Sequence, residues 1–167
     1  GDDGASRVRA VLEMCRALVC APDLDAALES IVYAAVQGTE RATSGAMWFF
    51  DDEEERPWPR PSGAAGATGA DGEEARLLAL GRTVAREALE RECVVSVADV
   101  AEDPRFAPMG LERPRMSLLV APLGTLERPI GVLILGSRTP DGFTRADEQL
   151  ASSLAAIAAE AIERKNA

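Results

Sequence analysis

The 167-residue chain contains no histidine. Neither a Ser-His-Asp nor a Cys-His catalytic pair can operate in it, and no imidazole can ligate haem or zinc. Lysine is almost missing too, with Lys165 as its sole representative, which argues against a Schiff-base or P-loop lysine in the body of the domain. Cysteine is scarce: Cys15, Cys20 and Cys93 form no CxxC and leave an odd count. That is no secreted disulfide framework, and a reducing cytoplasm is the expected compartment. Positive charge is short, 18 basic against 28 acidic residues for a net charge of −10. Direct contact with nucleic acid or an anionic membrane is therefore not expected. No apolar run approaches the roughly 20 residues of a membrane span, and no signal peptide is visible.

What remains is an ordinary globular composition, 47% hydrophobic and 28% charged. A chain of this length forms one domain and buries roughly 70% of its unfolded surface, so it needs no disulfide or metal staple. The basic charge is nearly all arginine, and Ala, Gly and Pro abound, the bias of a GC-rich bacterial genome. The opening Gly1-Asp2-Asp3-Gly4 reads as an excision scar or linker end, so residues 1–5 are set apart from a domain over 6–164. Residues 165–167 read as the start of a linker to an output domain.

Periodicity places the elements. Val8, Val11, Leu12, Cys15, Leu18 and Val19 recur at helical spacing over 6–20. Pro22 breaks the chain, and Asp23 caps a second helix over 24–37. Ser44 to Phe50 is an aromatic-rich strand, apolar at both parities and therefore covered on both faces. The acidic run Asp51–Glu55 fits a solvated hairpin tip. Prolines 57, 59 and 61 remove donors from one edge only, which suits a strand at the border of a sheet. The glycines at 63, 66, 69 and 72 space a connector.

A third helix over 73–91 turns Leu77, Leu80, Val84, Ala85, Ala88 and Leu89 inward, with Gly81 as a weak point. Residues 93–97 form a short strand in which Cys93 reads as a core thiol. Residues 99–110 are loop with one helical turn. Strands 116–123 and 130–136 make a hairpin. Thr144 caps the last helix with Asp147 at its third position, and Leu150, Leu154, Ile157, Ala158, Ala161 and Ile162 face inward. Ala151, Ala155, Ala156 and Ala159 lie outside or beside that stripe. They would let a second copy approach, so a parallel homodimer through the first and last helices is expected.

The order of these elements resembles the GAF family of sensory domains. The resemblance is carried by Asp23 to Val36, by Val95-Ser96-Val97-Ala98-Asp99 with Asp103-Pro104-Arg105-Phe106, and by Ser117 to Leu123. It continues through Ile130-Gly131-Val132-Leu133-Ile134-Leu135 and Phe143-Thr144-Arg145-Ala146-Asp147-Glu148. It implies an α+β fold of three layers, α/β/α, around a five- to six-stranded antiparallel sheet, with helices and long loops enclosing a small-molecule pocket.

The function so implied is regulatory and non-catalytic. The domain would bind an unidentified small molecule and relay a signal through the last helix to an output domain, as in a histidine kinase or transcription regulator. A ligand-free dimerisation and relay module is the alternative. Cyclic-nucleotide members carry Asn-Lys before the Phe143–Glu148 pattern, where this chain has Ser137-Arg138. Free methionine sulfoxide reductases of this fold use a set of cysteines that Cys93 alone does not reproduce. No haem or bilin is expected, since those members anchor their pigments through histidine. Aromatic and methionine residues in a loop have a core role only where the loop folds over the sheet. The expected lining is therefore Trp48 or Phe50, Phe106, Met109, Ser117 and Leu119, with Asp99 at the head of the segment 99–115. An anionic ligand would meet Arg113 or Arg115 there.

Overall fold

The structure, a computed structural model, describes residues 24–50, 55–57, 73–125 and 127–166. The expected first helix with Cys15 and Cys20, the acidic tip at 51–54 and the glycine connector lie outside the described residues. Three α-helices, Leu24–Gly38 (α1), Glu73–Arg91 (α2) and Arg145–Asn166 (α3), flank five strands. These are Ser44–Phe50 (β1), Glu55–Pro57 (β2), Val95–Val97 (β3), Ser117–Gly124 (β4) and Pro129–Ser137 (β5). They form one antiparallel sheet in the order β2-β1-β5-β4-β3. Within it β2, with Pro57, is a border strand, as the alternating prolines imply.

Side-chain alternation along the strands divides the core in two. Met47, Leu119, Ala121, Leu123, Leu133 and Leu135 pack with Leu28, Ile31, Val32 and Ala35 of α1 and with Leu150, Leu154 and Ala158 of α3. Ala46, Trp48, Leu118, Val120, Val132 and Ile134 pack on the other face with Leu77, Leu80, Val84 and Ala88 of α2. Each large side chain buried this way contributes about 1.5–3 kcal/mol. The three-layer α/β/α reading is therefore correct for the described residues.

Two expectations about helices change. Ala151 and Ala155, expected outside or beside the inward stripe of α3, are both 1% exposed. They belong to the core that α3 shares with α1, and their small side chains serve an intramolecular helix contact. Gly81 is a close-packing point, because a Cβ there would overlap Ile134 of the sheet. In the β4–β5 hairpin, Gly124 has φ +89°, and a Cβ on it would meet the Arg128 carbonyl oxygen at 2.5 Å, so glycine is required.

Candidate functional site

The face of the sheet under α2 holds the residues that chemistry can use. Trp48 stands on β1 opposite Val132 of β5 and Pro57 of β2. It is 5% exposed, and its indole Nε1 has no hydrogen-bond partner among the described residues. Arg82 of α2 lies over its ring, with the guanidinium carbon 5.2 Å from the ring centroid. Gly81 is what permits this. With no side chain there, α2 settles onto Ile134 and brings its neighbour Arg82 to the tryptophan.

The segment after β3 closes the same face. A 3-10 helix, Pro104–Glu112, starts at Asp103, whose carboxylate accepts from Arg105 N at 2.9 Å. Proline at the first position suits such a start. The turn drives Phe106 into the α2-side core, where it is fully buried. Arg105 holds the segment down. It donates to both oxygens of Asp103, at 3.0 and 2.7 Å, and to Glu87 of α2 at 2.9 Å. The Arg105 hydrogen bonds keep the Asp103 carboxyl below the usual carboxylate range against the opposing effect of burial. The same bond to Asp103 raises the Arg105 guanidinium.

Arg113 and Arg115 bond within the segment. Arg113 donates to the Asp103 carbonyl oxygen at 3.0 Å. Arg115, 77% exposed, lies 3.5 Å from the Asp99 carboxylate, whose other oxygen accepts from Ala101 N at 3.1 Å. Ser117 is buried at the start of β4, donating to the Thr139 carbonyl oxygen at 2.7 Å and accepting from Gly142 N at 3.1 Å. A separate open cleft of about 510 Å³ runs over the edge of β3 between Glu87, Arg91 and Arg105 on one side and Glu148 on the other. Its lining shares no residue with the expected set.

The family model for GAF domains matches residues 21–163. The chain belongs to the GAF domain family. Solved structures agree in fold. The GAF domain of a phosphoenolpyruvate-protein phosphotransferase from Coxiella burnetii is 18% identical, with TM-score 0.67 over 97% of this chain and 95% of that one. The free methionine-R-sulfoxide reductase of Neisseria meningitidis is 17% identical, with TM-score 0.67 over 100% and 95%. A GAF domain from A. Aeolicus, solved in an inactive state, is 11% identical, with TM-score 0.65 over 98% and 99%. No curated protein matches the chain.

Within this GAF domain, Trp48 and Phe106 share one core face, with Met116 packed beside it. Leu119 does not join them: it points to the α1/α3 side, packed among residues such as Leu28 and Leu154. Its neighbours Leu118 and Val120 are the β4 residues that face α2, because a strand turns alternate side chains to opposite faces. Phe50 ends β1 opposite Glu55, and Met109 lies in the 3-10 helix. Cys93 is exposed in the turn between α2 and β3 rather than buried in a strand, which begins only at Val95. That turn passes through Glu92 with φ 53°.

Sequence reasoning missed Arg82. Its signal was Gly81 inside an otherwise regular helix, since an interior glycine that costs helix stability marks a close approach. Among the described residues there is no group of three His, Cys, Asp or Glu that could hold a metal ion. No helix among them is long and apolar enough to cross a membrane.

Proposed function

We propose that this GAF domain is a non-catalytic sensory module of a bacterial signalling protein that holds a small molecule against the α2 face of its sheet. The observation that carries the reading is the buried Trp48 N–H, which has no acceptor among the described residues. Leaving such a donor unpaired costs about 1–3 kcal/mol, and native proteins rarely tolerate it without a use. A ligand that supplies the acceptor recovers that cost on binding.

Relay runs through α3. The loop leading into it is pinned at two points: Asp141 N donates to the Ala98 carbonyl oxygen at 2.8 Å, and Gly142 N donates to Ser117 at 3.1 Å. Ala98 follows β3 and Ser117 opens β4, so both anchors bracket the segment 99–115. A shift of that segment on binding is passed to the first turn of α3 and on to a homodimer formed through the terminal helices. Binding favours whichever arrangement it contacts better.

Two other readings are weaker. Phe106 is fully buried in the same core cluster as Trp48, which favours a ligand-free relay module over a large cavity. The Neisseria reductase suggests thiol chemistry, but segment 99–115 contains no cysteine. With no histidine in the chain, neither haem nor bilin has its usual anchor, and the purified protein is expected to be colourless.

Native mass spectrometry of the purified 167-residue protein tests the main reading. The expected result is a retained small molecule that is lost in Trp48→Phe. A protein that comes through clean, and whose Trp48 indole resonance no metabolite fraction shifts, would leave the relay module in its place. Analytical ultracentrifugation tests the dimer, and a monomer at tens of micromolar would refute it.

A further inference from the structure

The two border strands of the described sheet are built differently. β2 reads Glu55-Arg56-Pro57, with two charges and a proline that discourage further pairing. β3 reads Val95-Ser96-Val97 and carries neither charge nor proline. Among the described residues its ladder is with β4, and no backbone hydrogen bond outside that ladder involves Val95, Ser96 or Val97. Alternate residues of an antiparallel border strand turn N–H and C=O away from their partner, so β3 leaves a template open. We propose that this edge is a docking site for an extended peptide segment of a partner protein, which pairs with β3 as an added strand and carries an acidic and a basic residue side by side.

The room for that strand is the open cleft of about 510 Å³ over the β3 edge, with Val94, Val95 and Ser96 in its lining. The two faces of β3 are not equally covered. Val95 and Val97 are buried in the α2-side core. Ser96 is exposed, and Val94 is only partly buried against the α1/α3 core. The α3 side of the edge therefore keeps surface that the side chains of a neighbouring strand would cover.

The two walls of the cleft differ in charge, and the difference specifies the peptide. On the α2 side Arg105 donates to Glu87 at 2.9 Å, while Arg91 stands 3.5 Å from the same carboxylate with 64% of its side chain exposed. Arg91 is thus the cation with donors to spare for a further partner. Glu148, in the first turn of α3, lines the opposite side. Successive residues of a strand point to opposite faces. A peptide paired with β3 therefore sends one residue toward Arg91 and the next toward Glu148. Charge complementarity asks for Asp or Glu at the first and Lys or Arg at the second. Backbone pairing supplies the affinity, and the adjacent charges supply the selectivity. This site is separate from any ligand held under α2.

The test uses the whole 167-residue protein and ¹H–¹⁵N spectra. The probes are capped, threonine-rich peptides of about eight residues, within the ordinary length of a strand, built around a central Glu-Arg pair. Companion peptides carry Glu-Thr-Arg, which puts both charges on one side, or Arg-Arg, or the Glu-Arg pair with N-methyl groups throughout. The expected result is a saturable shift of the Val94–Val97 amides with the Glu-Arg peptide, weaker binding of Glu-Thr-Arg, and no response to the N-methylated form. Arg91→Glu gives the cleft acid on both sides. It should weaken the Glu-Arg peptide roughly fivefold or more and bind the Arg-Arg peptide more tightly than the parent does. Arg86→Gln is the control, since Arg86 is exposed on the same helix and paired with Glu90 at 2.9 Å; it should bind as the parent does.

β3 amides that no peptide moves overturn the proposal. An N-methylated peptide that binds as well as its parent also overturns it, because the contact would then not be strand pairing. Equal binding of the Glu-Arg and Glu-Thr-Arg peptides, or an affinity that Arg91→Glu leaves unchanged, overturns the charge pattern that defines the partner. Shifts of the same amides with protein concentration alone would assign the edge to a second copy of the chain and overturn it as well.

Discussion

Gly81 of α2 and Ile134 of β5 touch so closely that a single methyl group on the glycine would overlap the isoleucine side chain. Helix propensity alone makes Gly81→Ala stabilising by about 1 kcal/mol. Overpacking of a buried site costs about 1–3 kcal/mol, so the net expectation is a loss of stability in urea denaturation. Adding Ile134→Val should return part of it, and a Gly81→Ala protein more stable than the parent would refute the close contact.

Asp103 and Arg105 make stability depend on acid. The folded-state pKa of Asp103 is lowered, so its contribution is complete above the unfolded value near 3.9 and is lost as pH falls through the folded value. Asp103→Asn keeps an oxygen to accept from Arg105 N but removes the ion pair. The parent should lose more stability than Asp103→Asn between neutral pH and the acid limb. Parallel curves would mean that the pair contributes nothing.

The start of α3 is closed by a reciprocal pair: Thr144 N donates to Asp147 at 2.9 Å, and Asp147 N donates to the Thr144 hydroxyl at 3.2 Å. Thr144→Ala should cost about 0.5–2 kcal/mol. Asp147, 2% exposed, should cost at least as much when changed to alanine. The double variant should cost less than the two losses added, because each residue serves the same cap.

Ser117→Ala leaves the Thr139 carbonyl and the Gly142 N–H without their buried partner. A loss of about 1–3 kcal/mol is expected, together with faster amide exchange at Gly142. Unchanged exchange there would show that the loop is held from elsewhere.

Much of this fold was readable because both parities of β4 and β5 are apolar, which demands two covering layers. The inward positions of α2 were readable because one regular stripe meets one surface. The same double-sided apolarity hid which face was which, so Leu119 was assigned to the pocket although its strand turns it to α1 and α3. Alanine deceived for a related reason. Since α3 meets both sheet and α1, its buried arc is wider than a single stripe, and Ala151 and Ala155 fall within it. The contact of Arg82 with Trp48 was illegible because it depends on how deeply a neighbouring glycine lets the helix sink.

In the relay proposed above, the two anchors that hold the loop before α3 also make that helix a lever. With 22 residues it reaches about 33 Å beyond that pinned loop. A tilt of roughly 5° at that fulcrum carries its far end by about 3 Å over the same length. A displacement too small to change the packing around Ser117 thus becomes, at Asn166, a movement as large as a hydrogen bond is long.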